Sequence, residues 1–311
     1  MAQNYRVNFE KSRAALREIL LRRMPENGSY ETSVEGLVLH RFNGSADPKP
    51  QIYEPMIIVV AQGKKRVRIG ATDIAYGENT CFVSGVNMPV SSCVVEASED
   101  TPYLSMSFNL DRGLIATLAA QVPPLSDSMV YSSAGAAVQE IGPELLDAFL
   151  RLLELSDKPE EAQVLGPLIG QEIHYRLLTS PFGNQLRSLN MFGSQSNQIS
   201  KAITWVKNNF KKPLHVEELA GRLNMAPSTF HKHFKEITTL SPLQYQKRLR
   251  LSEAQRLMLA GDYDVTQAAF AVGYESAAQF NREYKRLFGE SPRKDVMKIK
   301  VVASGEQSIG A

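Results

Sequence analysis

The chain has 311 residues, enough for two ordinary domains, and carries 35 Lys and Arg against 33 Asp and Glu, a formal net charge of +2. No window approaches the roughly 20 apolar residues of a membrane span, and no useful apolar run follows Met1. Neither a spanning helix nor a secretory signal is expected, and a cytoplasmic location is.

Residues 9–24 read as a helix, with Phe9, Leu16, Ile19 and Leu20 apolar among basic residues. From Val34 to Leu110 the pattern turns to short β-rich runs: Leu37–Phe42, Met56–Gln62, Arg66–Ile69, Thr80–Ser84, Val90–Ala97 and Leu104–Leu110. Turn signals such as Gln62-Gly63, Ile69-Gly70 and Tyr76-Gly77-Glu78-Asn79 separate them, the spacing of a sandwich or barrel. Helices are expected around 112–120, 136–155 and 160–179. The middle one is unusually apolar, with Leu145, Leu146, Phe149, Leu152, Leu153 and Leu155, and must be buried in a core or against a partner. The polar stretch Gly193–Gln198 has no apolar periodicity and reads as a linker.

This half offers little for catalysis. His40 and His174 are far apart and no His-x-His is present, so neither metal nor cofactor is expected. There is no Gly-rich phosphate loop and no nucleophile elbow. Cys81 and Cys93 are not spaced as a zinc signature. They read first as small buried strand residues, and second as a thiol sensor of oxidants or electrophiles, which needs a lowered pKa and access.

The C-terminal third is different in kind. Phe230, Phe234, Lys235, Ile237, Ser241 and Pro242 are matched fifty residues later by Phe280, Tyr284, Lys285, Leu287, Ser291 and Pro292. Before the turn the offset is 49, where Val216, Ala220 and Leu223 match Val265, Ala269 and Val272. Two copies are too few for a solenoid and describe a paired module. Each copy reads as helix, turn, helix: an apolar stripe at i, i+3, i+4, i+7, then a break, then Pro227 or the N-cap Ser276 opening a second helix. Ser241-Pro242 opens a connecting helix through about Ala260, with Leu243, Leu249, Ala254, Leu257 and Met258 as expected buried positions. Residues 199–300 hold 18 Lys and Arg against 10 Asp and Glu, net +8, while the remaining residues are net −6. A basic module of this kind suits phosphate neutralisation on DNA.

These residues resemble the DNA-binding domain of the AraC/XylS family of bacterial transcription regulators over about 199–298. The carriers are Met225-Ala226-Pro227-Ser228, Ser241-Pro242-Leu243-Gln244-Tyr245 with Arg250-Leu251 and Ala254, and Val272-Gly273-Tyr274-Glu275-Ser276 through Phe280, Arg282, Phe288-Gly289 and Ser291-Pro292. Thr239 departs from the Gly often found at the end of the first reading helix. Upstream, Val59–Lys65 and Ala97–Leu104 resemble one N-terminal subgroup of that family.

The resemblance implies an α+β architecture. Its parts are a cupin-like β-barrel with flanking helices for ligand sensing and dimerisation (1–190), a linker (191–198), two helix-turn-helix units joined by a long helix (199–300) and a flexible tail (301–311). Carried over by position, Ser228, His231 and Lys232 read bases in the first unit, and Ala278, Gln279 and Arg282 in the second. Arg or Lys commonly takes guanine and Gln adenine, whereas Ala277 and Ala278 can at most touch a thymine methyl, so the first unit is expected to discriminate more. Lys235, Arg250, Asn281 and Lys285 are candidates for phosphate.

The implied partners are double-stranded DNA, a small-molecule effector, a second copy of the chain, and RNA polymerase if the protein activates; no membrane is implied. The function expected is a non-enzymatic, effector-controlled transcription regulator. The alternative is a regulator without an effector, controlled by abundance or a protein partner.

Overall fold

The computed structural model describes residues 2–124 and 134–305. An N-terminal helix α1 (Ala2–Arg23) is followed by strands β1 (Gly28–Glu31), β2 (Leu37–Phe42), β3 (Lys49–Tyr53), β4 (Met56–Gln62), β5 (Lys64–Ile69), β6 (Thr72–Gly77), β7 (Thr80–Ser84), β8 (Met88–Glu96) and β9 (Tyr103–Asn109). Helix α2 (Arg112–Ala119) precedes β10 (Ala136–Glu140), α3 (Pro143–Leu155), α4 (Pro159–Leu178) and α5 (Gly183–Asn190).

The strands form two antiparallel sheets, ordered β1-β2-β9-β4-β7-β10 and β3-β8-β5-β6, which face each other as a barrel. The first sheet is buried on both sides, so β4 reads as an unbroken apolar run. Ile57 and Val59 face a core shared with α1, α3 and α4, while Ile58 and Val60 face the barrel interior. The apolar stripe of α3 lies wholly in the first core and needs no partner.

Several sequence expectations give way. The span 136–155 is not one helix: Ala136–Glu140 pairs with β7, and Gly142-Pro143 then opens α3 with Pro in its first turn. Strands β1, β3, β6 and β10 and helix α5 lacked a periodic signal because they are short and half-exposed or interrupted. The stretch read as a linker is largely helical. Ser194 caps α6 (Gln195–Asn209), accepting from the Asn197 N–H at 3.0 Å, and the Asn197 side chain is buried against the Leu189 carbonyl. Residues 301–305 of the expected tail continue α12 (Pro292–Gly305), and 306–311 lie outside the described residues.

The remaining helices are α7 (Val216–Arg222), α8 (Pro227–Thr238), α9 (Pro242–Ala260), α10 (Val265–Ala271) and α11 (Ala277–Phe288). The barrel interior and the core of α6–α8 form one continuous apolar cluster, which also takes Tyr245 and Leu249 from α9. Leu251, Ala254 and Met258 belong instead to a smaller cluster with α10 and α11. Polar contacts reinforce the first junction. The Gly135 N–H donates to the Ile237 carbonyl at 2.9 Å, Tyr245 Oη donates to the Asn87 carbonyl at 3.0 Å, and Lys207 pairs with Glu54.

Candidate nucleic-acid interface

The two turns are built alike. In the first, the N–H groups of Asn224 and Met225 donate to the carbonyls of Gly221 and Ala220, both at 3.0 Å. In the second, Gly273 and Tyr274 donate to Phe270 and Ala269, again at 3.0 Å, each partner shifted by 49 residues. Asn224 (φ 53°) and Gly273 (φ 90°) occupy the left-handed position. Gly273 is required there twice over, since a Cβ would stand 2.0 Å from the Lys211 carbonyl oxygen. The extra residue of the second copy falls between this turn and α11. Ser276 caps α11, accepting from the Gln279 N–H at 3.3 Å, whereas α8 begins on Pro227 with no side-chain cap.

Both helices end in the left-handed conformation, at Thr239 (φ 64°) and Gly289 (φ 84°). Thr239 bears the strain that Gly289 avoids. Its side chain rests on the barrel at Gly70, where a Cβ would come within 2.6 Å of it. The residue that departs from the family pattern is therefore a contact between the domains.

Phe230 and Phe234 anchor α8, as Phe280 and Tyr284 anchor α11, all buried, which turns the opposite faces outward. Ser228, His231, Lys232 and Lys235 are exposed on α8, and Ala278, Gln279, Asn281, Arg282 and Lys285 on α11. The spacing i, i+3, i+4, i+7 brings the four residues of α8 onto one face, and likewise Ala278, Asn281, Arg282 and Lys285 of α11, with Gln279 beside them. Gln279 is not idle: its Nε2 donates to Glu283 at 3.2 Å. Glu283 also accepts from Tyr274 at 2.7 Å and from Lys247 at 2.8 Å. Burial pushes the Glu283 carboxyl up, but these bonds outweigh it and hold it below the usual range. Asn281 donates back to the Ala277 carbonyl at 2.9 Å.

Arg250, expected at phosphate, has a structural role in the fold. Its guanidinium donates to four carbonyls: Phe210 at 2.7 Å, Gly273 at 2.8 Å, Lys212 at 3.0 Å and Lys211 at 3.1 Å. It also lies over the Tyr274 ring at 5.9 Å. With four of its five donors engaged by the end of α6 and the second turn, it ties the two units together. The expected burial of Leu243 also fails, since it is 48% exposed while Tyr245 and Gln246 are buried. The face of α9 is set by Tyr245, whose ring packs edge-on against Phe234 at 5.5 Å.

The two cysteines are packed inside the N-terminal domain. Both are buried, and burial pushes the Cys81 thiol up to about 12, away from the thiolate. His40 is held between Ser29 at 2.8 Å and Ser107 at 2.9 Å, and burial and the charge of Lys65 lower it to about 4. His174 accepts from the Asp111 N–H and donates to the Gly170 carbonyl, pinning α2 to α4. Among the described residues, no three His, Cys, Asp or Glu are grouped to hold a metal, and no helix is long and apolar enough to cross a membrane.

Two helix-turn-helix units on one shared helix, joined to a two-sheet barrel, define a class of DNA-binding protein with an N-terminal companion domain. Known proteins agree. Residues 33–185 match the model of the AraC-type transcriptional regulator N-terminus, and residues 219–296 a helix-turn-helix domain. The chain belongs to the AraC family of transcriptional regulators.

Among curated relatives, the HTH-type transcriptional activator RhaS of Pectobacterium carotovorum is 29% identical over 101 residues, 32% of this chain and 36% of that protein. RhaS of Escherichia fergusonii is 33% identical over 96 residues, 31% of this chain and 34% of that one. The chain thus matches about a third of the length of these relatives. Among solved structures, an apo lysine variant of ToxT from Vibrio cholerae aligns with a TM-score of 0.56 at 10% identity, over 88% of this chain and 98% of that one. Wild-type ToxT with unsaturated fatty acid bound aligns at 0.55 and 11%, over 88% and 97%. At such identity the likeness is one of fold.

Proposed function

We propose that this protein binds promoter or operator DNA sequence-specifically and regulates transcription, without catalysis, under the control of a small molecule held in the N-terminal domain. The observation that carries this reading is the pair of matched turns presenting two polar, exposed helix faces from one shared helix, α9. Such faces suit two successive major grooves, about one DNA turn apart. Ser228, His231 and Lys232, with Ala278, Gln279 and Arg282, are assigned to bases, and Lys235, Asn281 and Lys285 to phosphates.

Control follows from where the barrel touches the DNA-binding half. Gly70, Asn87 and Gly135 meet the end of α8 and the start of α9. A ligand that favours one arrangement of these loops favours one placement of the first unit, a population shift. The protein acts in the cytoplasm as a homodimer and contacts RNA polymerase if it activates. Dimerisation is assigned to α4, where Val164, Leu168 and Tyr175 form an exposed apolar stripe, Leu168 being 59% exposed.

The test is selection of bound sequences from a random DNA pool by the full chain at near-physiological salt. A motif with two read patches about ten base pairs apart is expected. Folded protein that recovers no motif, with or without a library of small molecules present, would sink the reading.

A further inference from the structure

One face of α9 carries Gln244, Lys247, Arg248 and Leu251, spaced i, i+3, i+4, i+7. Leu251 is buried with Phe280 and Tyr284 of α11, so this face turns towards the second reading helix. Beside Leu251 lies a surface cleft of about 210 Å³, bounded on the α11 side by Glu283, Arg286 and Leu287. It reaches Leu240, next to the Thr239 that ends α8. The cleft thus runs from the end of the first reading helix to the flank of the second. Arg286 stands i+4 from Arg282 and i+7 from Gln279, which continues the reading side of α11 to the edge of the cleft.

Three cations and one carboxylate line this cleft. The carboxylate is already occupied: Glu283 accepts from Lys247 at 2.8 Å, from Tyr274 at 2.7 Å and from Gln279 at 3.2 Å. Lys247 and Glu283 cancel in charge, and two guanidinium groups remain. Among the described residues, neither Arg248 nor Arg286 has a hydrogen bond, an ion pair or a ring to lie against. Arg248 is half-buried, and burial lowers its pKa with no carboxylate acting the other way. Arg250, two residues on and also half-buried, is engaged by four carbonyls instead. A half-buried guanidinium without an acceptor destabilises the fold until an anion reaches it. Its planar fork matches the oxygens of a phosphate, and a cleft with two such forks is built to receive one.

Two helices in successive major grooves leave the minor groove between them turned to the protein, edged by a phosphate strand on each side. The cleft lies between those helices. We propose that it clasps the sugar-phosphate strand of the spacer between the two read patches, with Arg248 and Arg286 as the phosphate donors and the Lys247–Glu283 pair tying α9 to α11 across it. This assignment rests on the DNA-binding reading above and adds a contact that neither reading face supplies. A hold on DNA that no side chain reads makes affinity depend on how readily the spacer brings its strand to the cleft.

Full-length protein is titrated with a mixed-sequence duplex of about 30 base pairs across a salt series. Arg248→Gln with Arg286→Gln should flatten the slope of log affinity against log salt by about two. Between roughly 50 and 200 mM salt, wild type then loses about tenfold more affinity than the variant. Arg286→Gln alone, on an exposed residue, should give about half of that change. Lys11→Gln with Lys158→Gln removes the same charge from the exposed surface of the N-terminal half and should leave the slope as it is. Arg248→Gln should not lower Tm, because the charge it removes has no partner. On the duplex recovered by sequence selection, one methylphosphonate linkage in the spacer should weaken wild type by about threefold or more and the double variant not at all. An unchanged slope in the double variant, a slope change matched by the surface control, or an Arg248→Gln chain that melts well below wild type would each overturn the assignment. So would pyrophosphate that binds wild type and not the double variant while their DNA slopes agree, since the cleft would then serve a free phosphorylated molecule. Folded wild type that binds no duplex even at low salt would sink the DNA-binding reading together with the clasp. Sequence-specific binding with an unchanged slope removes the clasp alone.

Discussion

Arg250 and His40 show how much a side chain's role depends on what surrounds it. Four carbonyl acceptors converge on Arg250, and lysine, with a point charge in place of a planar fork, cannot serve them together. Arg250→Lys is expected to cost roughly 1–3 kcal/mol of stability, the range for hydrogen bonds from a charged group, since these four are part-buried or exposed. It should leave the slope of log affinity against log salt unchanged for the folded protein, and urea denaturation with DNA titrations checks both. His40 makes stability depend on pH. Its folded pKa is depressed to about 4, so below its ordinary value of 6.5 the unfolded chain takes up a proton that the folded barrel refuses. Stability is complete above that ordinary value and falls as pH drops towards 4, by roughly 1–2 kcal/mol between pH 7 and pH 5. Denaturation of the wild type and of His40→Gln at those two pH values should show this share of the slope vanish in the variant.

At the scale of elements, α8 and α11 share anchors, turn bonds and C-caps but differ in what they present. Lys232 stands in the middle of the α8 face and Lys285 near the end of α11, both exposed. Lys232→Ala is expected to weaken specific binding by about 1–3 kcal/mol and to relax preference at one or two base positions. Lys285→Ala should weaken all sequences alike and flatten the salt dependence by about one counterion. Competition titrations against a panel of single-base variants compare the two, and identical profiles would refute the division into reading and positioning residues.

For the whole molecule, the layout of cores predicts the order of unfolding. The barrel interior and the first helix-turn-helix unit share one cluster, while the second unit has a small one of its own, reached through the far half of α9. Amides of α10 and α11 should therefore exchange with solvent through a lower-energy opening than those of α8, which should open with the barrel. Hydrogen exchange read by mass spectrometry decides it, and equal protection of α8 and α11 would contradict it. The outer surface makes a separate prediction. Leu168→Glu on α4 should shift sedimentation from dimer towards monomer without lowering Tm by more than about 0.5 kcal/mol equivalent, since the residue is already exposed.

The sequence alone determined the parts whose signals are local. The repeat at 49 and then 50 residues located both turns and the N-cap Ser276, because turn chemistry and helical period act within a few residues. Strands β2, β4 and β7 were legible to the residue, since an apolar run bounded by turns needs no distant partner to be seen. The tertiary structure decided whatever depends on groups far apart in the chain. Nothing local marked Arg250 as a clamp, because its acceptors lie 23 to 40 residues away. The face of α9 followed Tyr245, whose hydroxyl bonds Asn87, 158 residues distant. Strands as short as β10 became strands only through the neighbour that pairs with them. Tyr53 of β3, Tyr76 of β6, Phe82 of β7 and Tyr103 of β9, scattered along the chain, became one aromatic interior only when two sheets closed over them.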